Sequence, residues 1–130
     1  MKLLLDTQVF IWLINDDKRL GSKADNLLRD RSNVIYISYF SVFEMTIKSA
    51  SGKLDFDYTV IDDLPKIDIN LLMPDEKTLE SYKIYNAANR DPFDNALITI
   101  AIIENFRLIT VDKNILETTE VNLRLINAKQ

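Results

Sequence analysis

The stretch RDPFDNALITIAIIEN, residues 90–105, decides the reading of this chain. Asp91 stands where a helix N-cap belongs, Pro92 where a first helical residue belongs, and Asp94 three residues after the cap. Ala96, Leu97, Ile98, Ile100, Ala101, Ile102 and Ile103 then follow. A helix that is apolar nearly all round lies in a core. Two carboxylates are therefore expected at the mouth of a rigid, buried element. The remaining question is whether the rest of the chain brings more acids there.

Working outward, RLIT at 107–110 reads as the strand after this helix, with Asp112 in the loop that follows. Lys2–Leu5 reads as a first, buried strand ending at Asp6, and NVIYIS at 33–38 as a second. Ile67, Ile69 and Leu71 alternate with polar residues as a third, and NLRLI at 122–126 gives a fifth. Helices are predicted between them. Asp6 or Thr7 caps one that closes at Asn15-Asp16-Asp17, and Ser22 caps a second with Leu27 and Leu28 inward. Tyr39 to Ser51 is helical, with Phe40, Phe43, Ile47 and Ala50 on one stripe and Gly52 just past the end. Tyr58, Ile61 and Leu64 suit a short amphipathic helix stopped near Pro65. Asp75 caps a helix through Leu79, Tyr82 and Tyr85, and Asn86 to Asn89 forms a polar turn.

Strands alternating with helices imply an α/β fold, a parallel sheet of about five strands with helices on both faces. Sites in such sheets form beyond the carboxyl ends of the strands, where strand order reverses. Asp6 ends strand one, Glu44 lies early in the helix after strand two, and Asp112 follows strand four. The 92–105 helix runs down to strand four, so Asp91 and Asp94 share that upper rim.

Composition narrows the chemistry. The chain has 130 residues, 47% of them hydrophobic, which suits one domain over 1–130. Its 16 basic and 20 acidic residues leave a net charge of -4, unlike a protein that grips nucleic acid with a broad basic face. The absence of cysteine and histidine excludes thiolate nucleophiles, Ser-His-Asp catalysis and the usual zinc sites. With two glycines there is no Gly-rich phosphate loop. The opening MKLLLD is no signal peptide, and no stretch suits a membrane span. A cytoplasmic protein is expected.

Each acid has an ordinary explanation. Asp6 can be a cap, Glu44 pairs at helical spacing with Lys48, Asp94 suits the positive end of a helix, and Asp112 suits a turn. Together they are a liability. Two bare carboxylates about 5 Å apart repel by roughly 3 kcal/mol at an effective dielectric near 20. Raised pKa values or a divalent cation should relieve this. An all-oxygen, histidine-free cluster suits Mg²⁺ or Mn²⁺. Such an ion activates water for attack on a phosphoryl group and bridges an acidic site to a phosphodiester.

Four stretches carry a family resemblance. LLDTQVFIWLI at 4–14, SYFSVFEMTIKSASGKL at 38–54, RDPFDNALITIA at 90–101 and LITVD at 108–112 resemble the motifs of PIN-domain nucleases, in particular VapC-like toxins of type II toxin–antitoxin pairs. The resemblance spans almost the whole chain. It implies a three-layer α/β/α fold and Mg²⁺- or Mn²⁺-dependent endoribonuclease activity on RNA. It also implies a homodimer and inhibition by a cognate antitoxin. The family's metal-site roles carry over to Asp6, Glu44, Asp94 and Asp112. Two positions depart from the subgroup, which often has His where Asn89 stands and Arg where Asn95 stands. Phe43 replaces a frequent Trp, read here as a core volume change.

Smaller roles follow. Thr7 and Thr110 can hydrogen-bond a ligating carboxylate or water. Lys48, Lys53, Arg90 and Lys113 can rim the site for phosphates. Trp12 and Phe10 suit core or subunit interface, and Tyr58, Ile61, Leu64, Tyr82 and Tyr85 suit core or an antitoxin contact. Two other classes stay open. One is a PIN-fold binding module without catalysis, which the two asparagines permit. The other is a metal-dependent phosphatase, against which DTQ at 6–8 lacks a second acid two residues after the first.

Overall fold

Strand β1, Lys2–Leu5, is the axis of the fold. Leu3, Leu4 and Leu5 are all fully buried, as a strand covered on both faces requires. In this computed structural model, which describes residues 1–85, 91–120 and 122–130, five parallel strands line up in the order β3-β2-β1-β4-β5. The others are β2 Val34–Ser38, β3 Ile69–Leu72, β4 Arg107–Thr110 and β5 Arg124–Asn127. Leu5 stands beside Ile37 on one side and Ile109 on the other. Strand order reverses between β1 and β4.

The helices are α1 Thr7–Ile14, α2 Ser22–Arg29, α3 Tyr39–Ala50, α4 Glu76–Tyr85, α5 Pro92–Ile103 and the short α6 Lys113–Leu116. The pleat sends Leu3 and Leu5 to one face, where they meet Val9, Phe10, Leu28, Val42 and Met45. Leu4 and Leu108 meet Leu97, Ile98, Ala101 and Ile115 on the other. The result is the three-layer α/β/α architecture the alternating pattern implies. Helix α5 is buried continuously from Asp94 to Ala101, as its all-round apolar character requires. Among the described residues no helix is long and apolar enough to cross a membrane.

Four local expectations need correction. Gly21, not Ser22, occupies the N-cap of α2. The Gln130 carbonyl accepts from the Lys23 and Ala24 backbone amides at 2.9 and 3.2 Å, so a distant segment supplies the cap. A Cβ on Gly21 would fall 2.3 Å from that carbonyl carbon, which explains the glycine. Residues Tyr58–Ile67 form a 3₁₀ segment that runs through Pro65 instead of stopping at it. Ile67 lies in that segment, and β3 begins only after Asp68 turns the chain in the left-handed region at φ 56°. Phe43 is not in the core: it is 52% exposed. Helix α3 buries Ser41, Val42 and Met45, so the Phe43–Ile47 stripe faces outward.

Gly52 takes φ +76° just beyond α3, the terminal role its position suggested. The expected turn at Asn86 to Asn89, with Arg90, lies outside the described residues.

Candidate active site

The carboxyl ends of β1 and β4 lie side by side at the reversal point, and Asp6 leaves the first of them. Its backbone amide donates to the Ile109 carbonyl at 2.9 Å. Asp6 holds the N-cap position of α1, yet its side chain makes no capping bond. Instead its Oδ2 accepts the Thr110 hydroxyl at 2.6 Å. Capping therefore does not explain this acid. Thr110 Oγ1 also accepts the Asp112 amide at 3.0 Å, so its proton is directed at Asp6. Burial pushes the Asp6 carboxyl up to about 6, against lowering by the Thr110 hydroxyl and the Thr7 backbone, and Glu44 and Asp112 raise it further.

Asp94 arrives from α5. Asp91 starts that helix, its Oδ1 accepting the Phe93 and Asp94 amides at 2.8 and 3.2 Å, with Pro92 in the first turn. The Asp94 side chain is buried in that turn. Burial, followed by the charges of Asp91, Asp6, Asp112 and Glu44, pushes it up to about 8. The acids of four elements thus share one electrostatic neighbourhood, which is the liability the sequence implied.

Glu44 and Asp112 are more ordinary in part. Asp112 caps α6, its Oδ1 accepting the Ile115 amide at 3.1 Å. Glu44 pairs with Lys48 at 3.3 Å, the helical ion pair its spacing suggested. Its other oxygen, Oε1, accepts the Thr7 hydroxyl at 2.6 Å. Both threonines singled out in the sequence therefore hold an acid of the rim. Ser41, buried three residues before Glu44, has a hydroxyl with no hydrogen-bond partner among the described residues, a feature that periodicity does not reveal.

Among the described residues no three acidic side chains stand close enough to hold one ion as they are. The donor chemistry nonetheless fits a hard divalent cation: oxygen donors only, two of them with pKa values raised by burial and mutual repulsion. Asn95, where the resembling subgroup often has Arg, is buried in α5. Asn89 and Arg90 lie outside the described residues.

Beside the rim, α3, α4 and α5 flank an open apolar groove of about 360 Å³ lined by Phe40, Phe43, Leu79, Tyr82, Pro92 and Phe93. Phe43 and Phe93 meet edge to face at 6.2 Å.

A PIN domain family model matches residues 3–121. The chain belongs to the PIN domain family. No curated protein matches the chain. Among solved structures, this PIN domain resembles VapBC2 from Rickettsia felis bound to a promoter DNA fragment, with a TM-score of 0.72 at 19% identity and 98% of each chain covered. It also resembles DNA-bound VapBC from Salmonella typhimurium, with a TM-score of 0.69 at 17% identity and 97% of each chain covered. VapBC-1 from nontypeable Haemophilus influenzae aligns over 100% of both chains at 20% identity, with a TM-score of 0.65. At these identities the likeness establishes the shared fold.

Proposed function

We propose that this PIN domain is a Mg²⁺- or Mn²⁺-dependent endoribonuclease, the toxin of a toxin–antitoxin pair. The observation that carries the reading is the pushed-up pair Asp6 and Asp94 at the switch point between β1 and β4, each within the field of Glu44 and Asp112. Asp6, Glu44, Asp94 and Asp112 would hold the ion. When bound, it would supply a Lewis acid and a nucleophilic water for attack on an RNA phosphodiester. The chain's own part is orientation. Thr110 fixes Asp6, Thr7 fixes Glu44, and the rigid α5 start fixes Asp94. A net charge of -4 is compatible with RNA because a cation held by these carboxylates would offset their charge toward a phosphate.

A cognate antitoxin, a homodimer and a cytoplasmic location belong to the same proposal. The VapBC likeness supports the first, and the apolar groove beside α4 offers a surface for a protein partner. A second reading, a binding module without catalysis, draws on the open spacing of the acids and on Asn95 in the third motif. RNA cleavage with and without Mn²⁺, using Asp6→Asn and Asp94→Asn, separates the two. Metal-dependent cleavage lost in both variants supports the nuclease. Cleavage that survives either substitution unchanged overturns it.

A further inference from the structure

Both carboxylate oxygens of Glu44 are engaged. Thr7 Oγ1 donates to Oε1 at 2.6 Å, and Lys48 Nζ approaches Oε2 at 3.3 Å. The two partners differ in kind. Thr7 is buried and sits at the start of α1, one residue after Asp6, so its bond fixes the Glu44 carboxylate beside the end of β1. Lys48 reaches back along α3 on a flexible stem that is 50% exposed, toward a Glu44 side chain that is only 13% exposed. The threonine is a fixed support and the lysine a removable charge.

The engagement has a cost for a metal. An ion that takes Glu44 as a ligand needs a free oxygen, and the Thr7 bond is the shorter and more buried of the two. The oxygen facing Lys48 is the one that can be released.

We propose that Lys48 is a built-in counter-ion that competes with the divalent cation for Glu44, and that Thr7 is the positioning residue that keeps Glu44 in place for the exchange. The inference rests on the metal-site reading above. Lys48 neutralises Glu44 while the ion is away and is displaced when the ion arrives, which frees its ammonium at the edge where an RNA phosphate would lie.

Mn²⁺ titration calorimetry on the full chain tests this without reference to activity. Lys48→Gln should bind Mn²⁺ roughly two- to fivefold tighter than wild type, the range expected for losing one half-exposed pair. Lys48→Arg should restore wild-type affinity, and Thr7→Val should weaken binding about tenfold, as for loss of an outer-shell partner. The Lys48→Gln gain should vanish in an Glu44→Gln background. Lys113→Gln controls for the general field, since Lys113 pairs with Glu117 at 3.9 Å. An equal gain from Lys113→Gln, or no gain from Lys48→Gln, overturns the competition while the metal site stands. Absence of Mn²⁺ binding by the wild-type chain overturns the metal-site reading and this inference with it.

Discussion

Two regions share the first turn of α5 and break opposite rules. On one side Asp94 buries a carboxyl next to other acids. On the other, Pro92, Phe93 and Ala96 line an apolar groove completed by Phe43 and Leu79, which are 52% and 62% exposed. Helix α4 sharpens the contrast: Thr78 is its only buried residue, and its Ile84 is 71% exposed. A buried acid that must hold its proton and an exposed apolar surface both cost stability in an isolated chain. The proposed cation on one side and the proposed protein partner on the other would each relieve one of these costs. The two should respond to different perturbations.

The largest expected effect is on the rim. Asp94→Asn should lower Mn²⁺-dependent RNA cleavage by roughly a hundredfold or more, since it removes a ligand and not merely a ligand's support. The same substitution should leave the metal-free melting temperature unchanged or raised, because it removes a repelled, buried acid. A variant that loses activity only by unfolding would break the contrast.

Next comes pH. Asp6 and Asp94 hold their protons more tightly folded than unfolded, at about 6 and about 8 against an ordinary value of 3.8. The unfolded chain therefore binds fewer protons between these limits, and stability falls as pH rises. In thermal melts without metal, the contribution of these two groups to the melting temperature should be largest below about pH 4, where both are protonated folded and unfolded. It should fall most steeply between about pH 4 and 6, less steeply up to about pH 8, and level off above that. Mn²⁺ at about a hundred times its dissociation constant should return roughly 2.7 kcal/mol at pH 8.5 and little at pH 5, where the acids hold protons.

A smaller effect belongs to the support. Thr110→Val removes the hydroxyl that Asp6 accepts and should weaken Mn²⁺ binding by about tenfold, measured by calorimetry. The smallest belongs to the groove. Phe43→Ser should change the unfolding free energy, measured by urea denaturation, by no more than about 0.5–1 kcal/mol, because the side chain is half exposed. Phe10→Ala in the core should cost about 3–5 kcal/mol by the same assay. A large loss from Phe43→Ser would mean that the groove is core after all.

Much of this was legible before the fold was known. RLIT is β4 residue for residue, and the Asp91-Pro92 start of α5 is as its capping chemistry dictates. Those signals are local. What escaped was set from a distance. The α2 cap comes from Gln130, more than a hundred residues away, so no reading around Ser22 reveals it. The spacing of Phe40, Phe43 and Ile47 identifies a stripe but not the side of the helix that meets the sheet. Val42 and Met45 carry the inward stripe with Ser41, a small polar residue that hydrophobic counting passes over. At the rim, spacing identifies the Glu44–Lys48 pair and strand-end position singles out Thr7 and Thr110, but which acid each threonine holds is set across 37 and 104 residues by the fold.

The central claim is that the acids at the β1/β4 switch point form a divalent-cation site. Crystals soaked in Mn²⁺ and measured for anomalous scattering test it most directly. A manganese peak in direct coordination with Asp6 and Asp94 is expected, with Glu44 turned from Lys48 toward it. A map with no peak at this rim, at an Mn²⁺ concentration that supports cleavage, would contradict it.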